Sequence, residues 1–454
     1  MRAALALVVV AAARCGTDPG LPPGPADLPA TAQGMLAFVD VTVVSMVGPH
    51  RPHQTVVTDS GRVVLIGPAA TTVVPTGATV LPVPAGSYLT PGLADMHTHI
   101  FDRDELLLYL ANGVTTVRNL HGLARHLAWR DSLEQGWMVG PRLLTAGPIL
   151  DGDPPTRSTN TVLRTETEAA AEVAAEAARG FDYIKIYDNL PVTLYRAIGM
   201  AAKAAGIPVT GHLPTPVGLA GLFENQVQGE VQHLEEFLPF LDDGRNAGLL
   251  DSIARGLARS GIAVVPTLTV FTSALDQSER LGSLKARLEV RYVNPETAAT
   301  WAWEATGARR SGNAGETARY RRTVTFFEHQ MVPALRRAGV TIVAGTDAPI
   351  PMIVPGFSLH DELANLVASG LSPLEALETA TAAAARVLPA RRPIPGFGTI
   401  RVGAPADLLV VPTDPSLSLA GLRNHWGVVA RGRWYSHARL QLSLDSLAAG
   451  YRSR

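Results

Sequence analysis

Residues 90–99 have the sequence Thr-Pro-Gly-Leu-Ala-Asp-Met-His-Thr-His, which ends with two histidines two positions apart. The apolar run that starts at Leu93 predicts a strand, and strand side chains at positions i and i+2 point to the same face. His97 and His99 would therefore face one direction, where two imidazole nitrogens can bind one metal ion. An isolated pair of this kind is more often a surface or core feature, so its meaning depends on the rest of the chain.

This strand is the first of a series of short apolar strands, which alternate with helix-like segments such as residues 165–179 and 191–205. The predicted strands are Leu93–His99, Thr115–Asn119, Arg142–Ala146, Tyr183–Tyr187, Pro208–His212, Val231–His233, Ile262–Thr267 and Thr341–Thr346. Eight such alternations predict an α/β fold with a closed (β/α)8 barrel of the TIM type over residues 91–390. The long interval 271–339 predicts extra helices over the barrel mouth.

The two ends of the chain predict a second, smaller unit. Short β-branched runs separated by Gly and Pro occupy residues 35–90, and similar runs return in residues 395–437. We expect these two stretches to form one composite β-sandwich domain.

Residues 1–32 are predicted to be a signal peptide followed by a linker. Met1-Arg2 precedes an apolar run from Ala3 to Ala13, which is too short to span a bilayer because a span needs about 20 residues. Export to the periplasm or the extracellular space is therefore expected. Cys15 offers the alternative of a lipoprotein, which Arg14 disfavours because a small residue is expected before a lipidated cysteine.

The composition of the chain limits the kinds of molecule that it is expected to bind. The net charge is -1 and no basic run occurs, so neither nucleic acid nor an anionic membrane is indicated. The single cysteine excludes an intrachain disulfide framework and a cysteine-rich zinc cluster. We expect a small-molecule substrate and no membrane span, and the sequence is compatible with a homo-oligomer.

Further polar residues fall at or near the carboxyl ends of the predicted strands, where barrel enzymes place their catalytic groups. They are Lys185, His212, His233 and Asp347. Any one of them could be a core residue, but their occurrence at several strand ends predicts a metal site. An ammonium beside metal ions would be repelled, so we expect Lys185 to be carboxylated by CO₂. The alternative is an unmodified Lys185 that pairs with a carboxylate, with one metal bound.

The chain resembles the amidohydrolase superfamily, close to its imidazolonepropionase-like and prolidase-like members, from about Met35 to Tyr435. The matching stretches are residues 90–99, Gly113-Val-Thr-Thr-Val-Arg, Tyr183-Ile-Lys-Ile-Tyr, Gly211-His, Gln232-His, Gly345-Thr-Asp and Gly403-Ala-Pro-Ala-Asp-Leu. Two positions depart from the family pattern. Asn119 stands where many relatives carry Asp, and His121 stands where a small residue is more usual.

The resemblance implies a barrel with a composite β-sandwich and one or two divalent metals, commonly zinc. Carried over by residue, His97, His99 and Asp347 would hold the first metal, His212 and His233 the second, and carboxylated Lys185 would bridge both. We expect hydrolysis of an amide C–N bond in a dipeptide or N-acyl amino acid. A metal-activated hydroxide would attack, with Asp347 as general base and then general acid.

Arg118, His121 and Tyr187 are candidates for lining the substrate pocket, although each could equally be structural. The insertion with Trp301, Trp303 and Arg309-Arg310 would form either a lid or a helix packed on the barrel. Three alternatives stay open from the sequence. They are a cyclic amide, lactone or phosphoester hydrolase on the same site, an enzyme with a single metal, and a non-catalytic periplasmic binding protein.

Overall fold

The computed structural model describes residues 30–241, 246–301, 314–389 and 391–452. The predicted signal peptide up to residue 29, with Cys15, lies outside these residues, as do Trp303 and Arg309-Arg310. The strands are β1 (Leu36–Val43), β2 (Arg51–Asp59), β3 (Arg62–Pro68), β4 (Thr79–Val80), β5 (Tyr88–Pro91), β6 (Leu93–Thr98), β7 (Val114–Asn119), β8 (Arg142–Asp151), β9 (Thr161–Val162), β10 (Tyr183–Ile186), β11 (Val209–Gly211), β12 (Gln228–Gln232), β13 (Ala263–Val265), β14 (Leu408–Val411), β15 (Gly427–Ala430) and β16 (Arg433–Ser436).

The helices connect the barrel strands and extend beyond them. They are α1 (Glu105–Ala111), α2 (Ala124–Gln135), α3 (Glu166–Arg179), α4 (Val192–Ala205), α5 (Gly218–Asn225), α6 (Ala247–Ser260), α7 (Leu268–Lys285), α8 (Pro295–Thr300), α9 (Ala314–Phe326), α10 (Val332–Ala338), α11 (Phe357–Ala368), α12 (Pro373–Thr379), α13 (Ala420–Arg423) and α14 (His437–Arg452). Within the described ranges, none is long and apolar enough to cross a membrane.

Seven parallel strands form the barrel in the hydrogen-bonded order β6-β7-β8-β10-β11-β12-β13. The eighth position is occupied by residues 340–348, which contact both edge strands through single bridges, Val264 to Ile342 and Thr98 to Ala348. The amide of Met96 also donates to the carbonyl of Ala344 at 3.0 Å. The predicted α/β barrel is thus confirmed, except that residues 341–346 form no regular strand.

A second sheet is built from both ends of the chain, in the order β16-β15-β14-β5-β1-β2-β3, with β4 paired to β1. The antiparallel pair β5 and β14 joins the two chain ends. Phe38, Leu89, Leu408 and Trp434 belong to its separate buried core. The predicted β unit drawn from both termini is therefore confirmed, and the helix α14 follows it.

The extra helices expected in the long interval are present as α7 to α10. Trp301 follows α8, is 3% exposed, and donates from Nε1 to the carbonyl of Pro349 at 2.8 Å. Trp301 is therefore buried, but residues 302–313 lie outside the described residues, so both predicted roles of the insertion stay predictions. The contact of Trp301 with Pro349 connects the insertion to the segment that follows Asp347.

Candidate metal centre

Four imidazoles and one carboxylate meet at the carboxyl ends of the barrel strands. Oδ1 of Asp347 lies 2.9 Å from Nε2 of His99 and 3.2 Å from Nε2 of His97. The ring of His233 lies 4.5 Å from that of His97 and 4.8 Å from that of His212, measured between centroids. The structure therefore brings together His97, His99, His212, His233 and Asp347 as the sequence predicted.

Two hydrogen bonds orient the inner imidazoles. Nδ1 of His97 lies 2.8 Å from Oε1 of Gln232, and Nδ1 of His233 lies 2.7 Å from Oγ1 of Thr267. Since Oε1 of Gln232 can only accept, Nδ1 of His97 carries the proton and Nε2 keeps its lone pair. That Nε2 atom is buried, and apart from Oδ1 of Asp347 at 3.2 Å it has no polar partner among the described residues. Such an arrangement prepares an imidazole to bind a metal.

The electrostatics around His97, His99 and Asp347 favour the protonation states that bind a metal. Burial lowers the pKa of His97 to about 3, so its imidazole is neutral at neutral pH. Burial alone would raise the pKa of Asp347, but the neighbouring His97 and His99 hold it well below its usual value. Neutral imidazoles beside an ionised carboxylate are the forms that metals bind.

Lys185 projects from β10 into the same interior. Its side chain is 1% exposed, and its Nζ has no hydrogen-bond partner within the described ranges. Burial lowers the pKa of Lys185 to about 7, so a large share of the amine is neutral at neutral pH. Among the described residues, no carboxylate forms an ion pair with Lys185. A neutral amine is the form that can react with CO₂.

These observations test whether divalent metal fits the site. Nitrogen and carboxylate ligands in this combination are those that zinc and similar cations prefer. His97, His99 and Asp347 have ligand atoms close enough to share one ion, and the buried Nε2 of His97 belongs to that group. The residues present therefore fit a divalent cation.

A second group of potential ligands was not anticipated from the sequence. Nδ1 of His212 lies 2.7 Å from Oδ1 of Asp188 and 2.9 Å from Oε1 of Glu236, and these three residues could also share a cation. Burial would lower the pKa of His212, but the two carboxylates outweigh it and raise the pKa to about 9. Asp188 and Glu236 both lie on segments that follow strands. The only sign of their role in the sequence was their closeness to Tyr187 and His233.

Asp95 is another residue whose role the sequence did not reveal. It is buried on β6 and accepts hydrogen bonds from the amide of Thr346 at 3.0 Å and from its hydroxyl at 2.7 Å. Asp95 thus ties the strand that carries His97 to the segment that carries Asp347. A Cβ on Gly345 would lie 2.7 Å from Cβ of His97, so only glycine permits this close approach. The signal available was that Asp95 shares a strand face with His97.

The predicted pocket residues lie in different places. The ring of Tyr187 lies 3.9 Å from that of His212, and the ring of His121 lies 6.4 Å from that of His99. Burial lowers the pKa of His121 to about 3, so this imidazole is neutral. Both therefore border the cluster.

The structure places Arg118 in the barrel core instead of the pocket lining. Its side chain is fully buried, Nη2 donates to Oε2 of Glu230 at 2.8 Å, and Nε donates to the carbonyl of Met96 at 2.7 Å. Because these partners occupy its hydrogen-bond donors, the guanidinium of Arg118 has a structural role. Asn119, the departure from the family pattern, accepts from the amide of Ile100 and donates to the carbonyl of His121, which braces the segments after β6 and β7.

A buried group of imidazoles and one carboxylate at the strand ends is typical of barrel enzymes that bind divalent metal ions. The amidohydrolase family model matches residues 88–435, and the chain belongs to this family. Hydrolases of this family are typically metal-dependent.

Several solved structures share this fold. Bottromycin amidohydrolase is 26% identical with a TM-score of 0.76, and the match covers 94% of this chain and 92% of that one. A putative prolidase from Bifidobacterium longum is 24% identical with a TM-score of 0.65, over 92% and 100% of the two chains. A Xaa-Pro dipeptidase with bound methionine is 18% identical with a TM-score of 0.65, over 89% and 100%. A comparison with curated protein sequences finds no match.

Proposed function

We propose that this chain is a metal-dependent amidohydrolase that cleaves the C–N bond of a dipeptide or an N-acyl amino acid. The observation that carries the proposal is the convergence of four imidazoles and Asp347 in one barrel mouth, with the buried Lys185 close enough to interact electrostatically with Asp347. The substrate class is supported by the family and by similar structures that are named as a prolidase and a Xaa-Pro dipeptidase.

Two divalent cations, most consistent with zinc, are proposed for this site. His97, His99 and Asp347 would hold the first, His212 and His233 the second, and carboxylated Lys185 would lie between them. Bound cations of this kind lower the pKa of a coordinated water from about 15.7 towards 7 and polarise a carbonyl oxygen. The imidazoles of His97 and His233 are already neutral, whereas His212, whose pKa is raised to about 9, would release its proton when a cation binds.

Asp347 is proposed to move the proton in this reaction. Its carboxylate is ionised at neutral pH, because His97 and His99 hold its pKa low, and its side chain is 14% exposed. It can therefore accept a proton from the attacking water at a carboxylate oxygen and then donate it to the leaving nitrogen. His121 and Tyr187 would line the pocket around that nitrogen.

We also propose that the mature protein acts outside the cytoplasm, as residues 1–32 indicate. The support is the order of a basic start, a short apolar run and small residues. Amino-terminal sequencing of protein secreted by a bacterial host tests this proposal. A mature chain that still starts at Met1 would contradict export by a cleaved signal peptide.

The test of function combines metal analysis with turnover. Purified full-length protein should contain about two divalent ions per chain by elemental analysis and should hydrolyse members of a panel of dipeptides and N-acyl amino acids. The matched variant Asp347→Asn should retain much of the metal and lose about 10²- to 10⁴-fold in kcat, because it cannot accept a proton.

The same panel should include cyclic amides, lactones and phosphoesters. Turnover restricted to those compounds would contradict the proposed substrate class while leaving the metal centre intact. Metal-free protein, or near-normal activity of Asp347→Asn, would contradict the mechanism itself.

A further inference from the structure

The loop between β8 and β9, residues 152–160, is fixed against the barrel by one buried carboxylate. Asp151, fully buried at the end of β8, accepts hydrogen bonds from the amides of Gly152 and Thr156 at 2.9 and 2.7 Å. It also accepts from the side chain of Asn160 at 3.0 Å and from the amide of Asn189 at 2.9 Å. With its start, middle and end held by one residue, the loop has a defined shape.

A second contact joins this loop to the strand that carries Lys185. Nδ2 of Asn189, three positions beyond the end of β10, donates to the carbonyl of Pro154 at 2.8 Å. Two neighbouring strand ends therefore determine where the loop lies. A side chain on it is presented to the mouth from a fixed position, which a binding residue requires.

Arg157 occupies the middle of this loop. Its guanidinium carbon lies 5.3 Å from the centroid of the Tyr187 ring, and that ring lies 3.9 Å from the ring of His212. The side chain is half-buried, and within the described residues no carboxylate pairs with its guanidinium. The guanidinium of Arg157 thus lies over the face of Tyr187, at the edge of the cluster of imidazoles.

The charge of Arg157 reaches the centre of the site. The Tyr187 ring on which its guanidinium lies contacts the ring of His212, a candidate metal ligand, and its positive charge also acts on His121, which borders the cluster beside His99. A fixed cation beside a cation-binding centre is repelled unless an anion lies between them.

We propose that Arg157 binds the free carboxylate of the substrate's leaving amino acid, which makes the enzyme selective for acyl chains attached to an amino acid with an unblocked carboxyl group. This inference rests on the proposed function and specifies its substrate class. A planar guanidinium binds carboxylate through two parallel hydrogen bonds, and stacking on Tyr187 leaves its N–H edge available. The leaving amino acid carries its carboxylate one carbon from the scissile nitrogen, close to the reacting bond.

The experiment compares a free acid with its carboxamide. The best dipeptide or N-acyl amino acid from the panel and the same compound with a carboxyl-terminal amide are assayed with the wild type and with Arg157→Gln. The wild type should prefer the acid. Arg157→Gln should lower kcat/KM for the acid about 100-fold, mainly through KM, because it removes one partner of a charged hydrogen-bonded pair. Activity on the carboxamide should stay within about threefold.

Matched variants separate binding from structure. Arg157→Lys keeps the charge without the planar fork and should retain intermediate activity on the acid. Arg179→Gln removes an exposed arginine on the outer helix α3 and should leave both substrates unaffected. Melting temperature and metal content of Arg157→Gln should equal those of the wild type.

Three results would overturn the inference. If Arg157→Gln lowers activity on acid and carboxamide equally, Arg157 only shapes the loop. If the wild type hydrolyses acid and carboxamide equally well, the proposed amidohydrolase function stands and the carboxylate site does not. If the wild type hydrolyses neither compound, the proposed function fails and the inference fails with it.

Discussion

At the scale of single residues, Lys185 places the strongest constraint on the chemistry of this site. An ammonium with no partner in a buried cavity is costly, and metal ions nearby would increase that cost. Its Nζ has no hydrogen-bond partner in the described part of the chain, and burial lowers its pKa to about 7. Conversion of the neutral amine to a carbamate replaces this unpaired group with an anion that two cations can share.

Replacing this lysine therefore tests the number of metals. Lys185→Ala should reduce the metal content from about two ions per chain to one or fewer, and kcat/KM should fall by at least about 100-fold, since even indirect ligand supports are worth 10- to 100-fold. A short carboxylate such as propionate should restore part of both by taking the place of the carbamate. Lys203→Ala, which removes an exposed lysine on α4, is the matched control. Full metal content and activity in Lys185→Ala would favour the site with a single metal.

The position of residues at strand ends explains which site residues could be predicted. The carboxyl ends of parallel strands meet at one face of a barrel, so His97, Lys185 and Asp347 could be assigned to one cluster without coordinates. Arg118 is also on a barrel strand, but its depth depends on strand register, and its partner Glu230 is 112 positions away. Asp188 and Arg157 lie on loops and Glu236 lies on a short 3-10 helix, and no periodicity predicts the path of such connections.

At the scale of secondary structure elements, α3 combines well-defined ends with an unfavourably buried carboxyl group. Thr165 caps its first turn in a reciprocal pair with Glu168, and Gly180 ends it with φ of 92°. Its buried face nevertheless contains Glu176, whose two carboxylate oxygens have no hydrogen-bond partner within the described ranges. Burial, with a smaller contribution from Glu172, raises the pKa of Glu176 to about 9.

This raised pKa predicts how stability depends on pH. Folded Glu176 keeps its proton up to about pH 9, whereas the unfolded residue loses it above its ordinary pKa of 4.5. The folded state therefore binds more protons between these values, and the contribution of Glu176 to stability falls as pH rises through this window. Glu176→Gln should stabilise the protein on the order of a few kcal/mol at pH 8 and by much less at pH 5.

Denaturant unfolding at both pH values measures the effect. Glu166→Gln, which changes an exposed carboxyl in the first turn of the same helix, is the control and should show little difference between the two pH values. If Glu176→Gln changed stability equally at pH 5 and pH 8, the carboxyl would not be protonated in the folded protein.

The local sequence predicted the bounds of some of these elements better than those of others. The predicted helices 165–179 and 191–205 match α3 and α4 to within one residue, because capping and turn signals define their ends. Residues 341–346 have the composition of a strand but form no regular ladder. Their hydrogen bonds are divided between the two edges of the barrel, and Asp347 adopts a positive φ of 63° directly after them. Such closure depends on tertiary contacts.

At the scale of the whole molecule, the candidate metal site and the barrel closure depend on the same residues. Its candidate ligands come from β6, from the ends of β10, β11 and β12, and from the closing segment 340–348. That segment is held by Asp95 and by the amide of Asp347, which donates to the carbonyl of His97 at 2.8 Å. Ions that bind this set would connect the two edges of an incompletely hydrogen-bonded barrel.

The terminal sheet lies directly against this barrel. β5 ends at Pro91 and β6 begins at Leu93, while the amide of Gly92 between them donates to the carbonyl of Asp407 at 2.9 Å. The carboxylate of Asp407 also pairs with Arg142 of β8 at 3.2 Å. These contacts lie at the amino ends of β6 and β8, whereas the candidate ligands lie at the carboxyl ends, so a loosening of the barrel would reach the sheet along the strands themselves.

Removal of metal should consequently destabilise the entire fold. A ligand that binds only the folded state adds RT ln(1 + [L]/Kd), which is about 4.1 kcal/mol at 1,000 times Kd. Dialysis against a chelator should lower the melting temperature of the full chain, and zinc should restore it. In His97→Asn, which lacks a ligand to the first ion, the chelator should have a smaller effect. A melting temperature that does not respond to chelator in the wild type would mean that barrel closure is independent of metal, with Asp95 and Thr346 sufficient to hold the last segment in place.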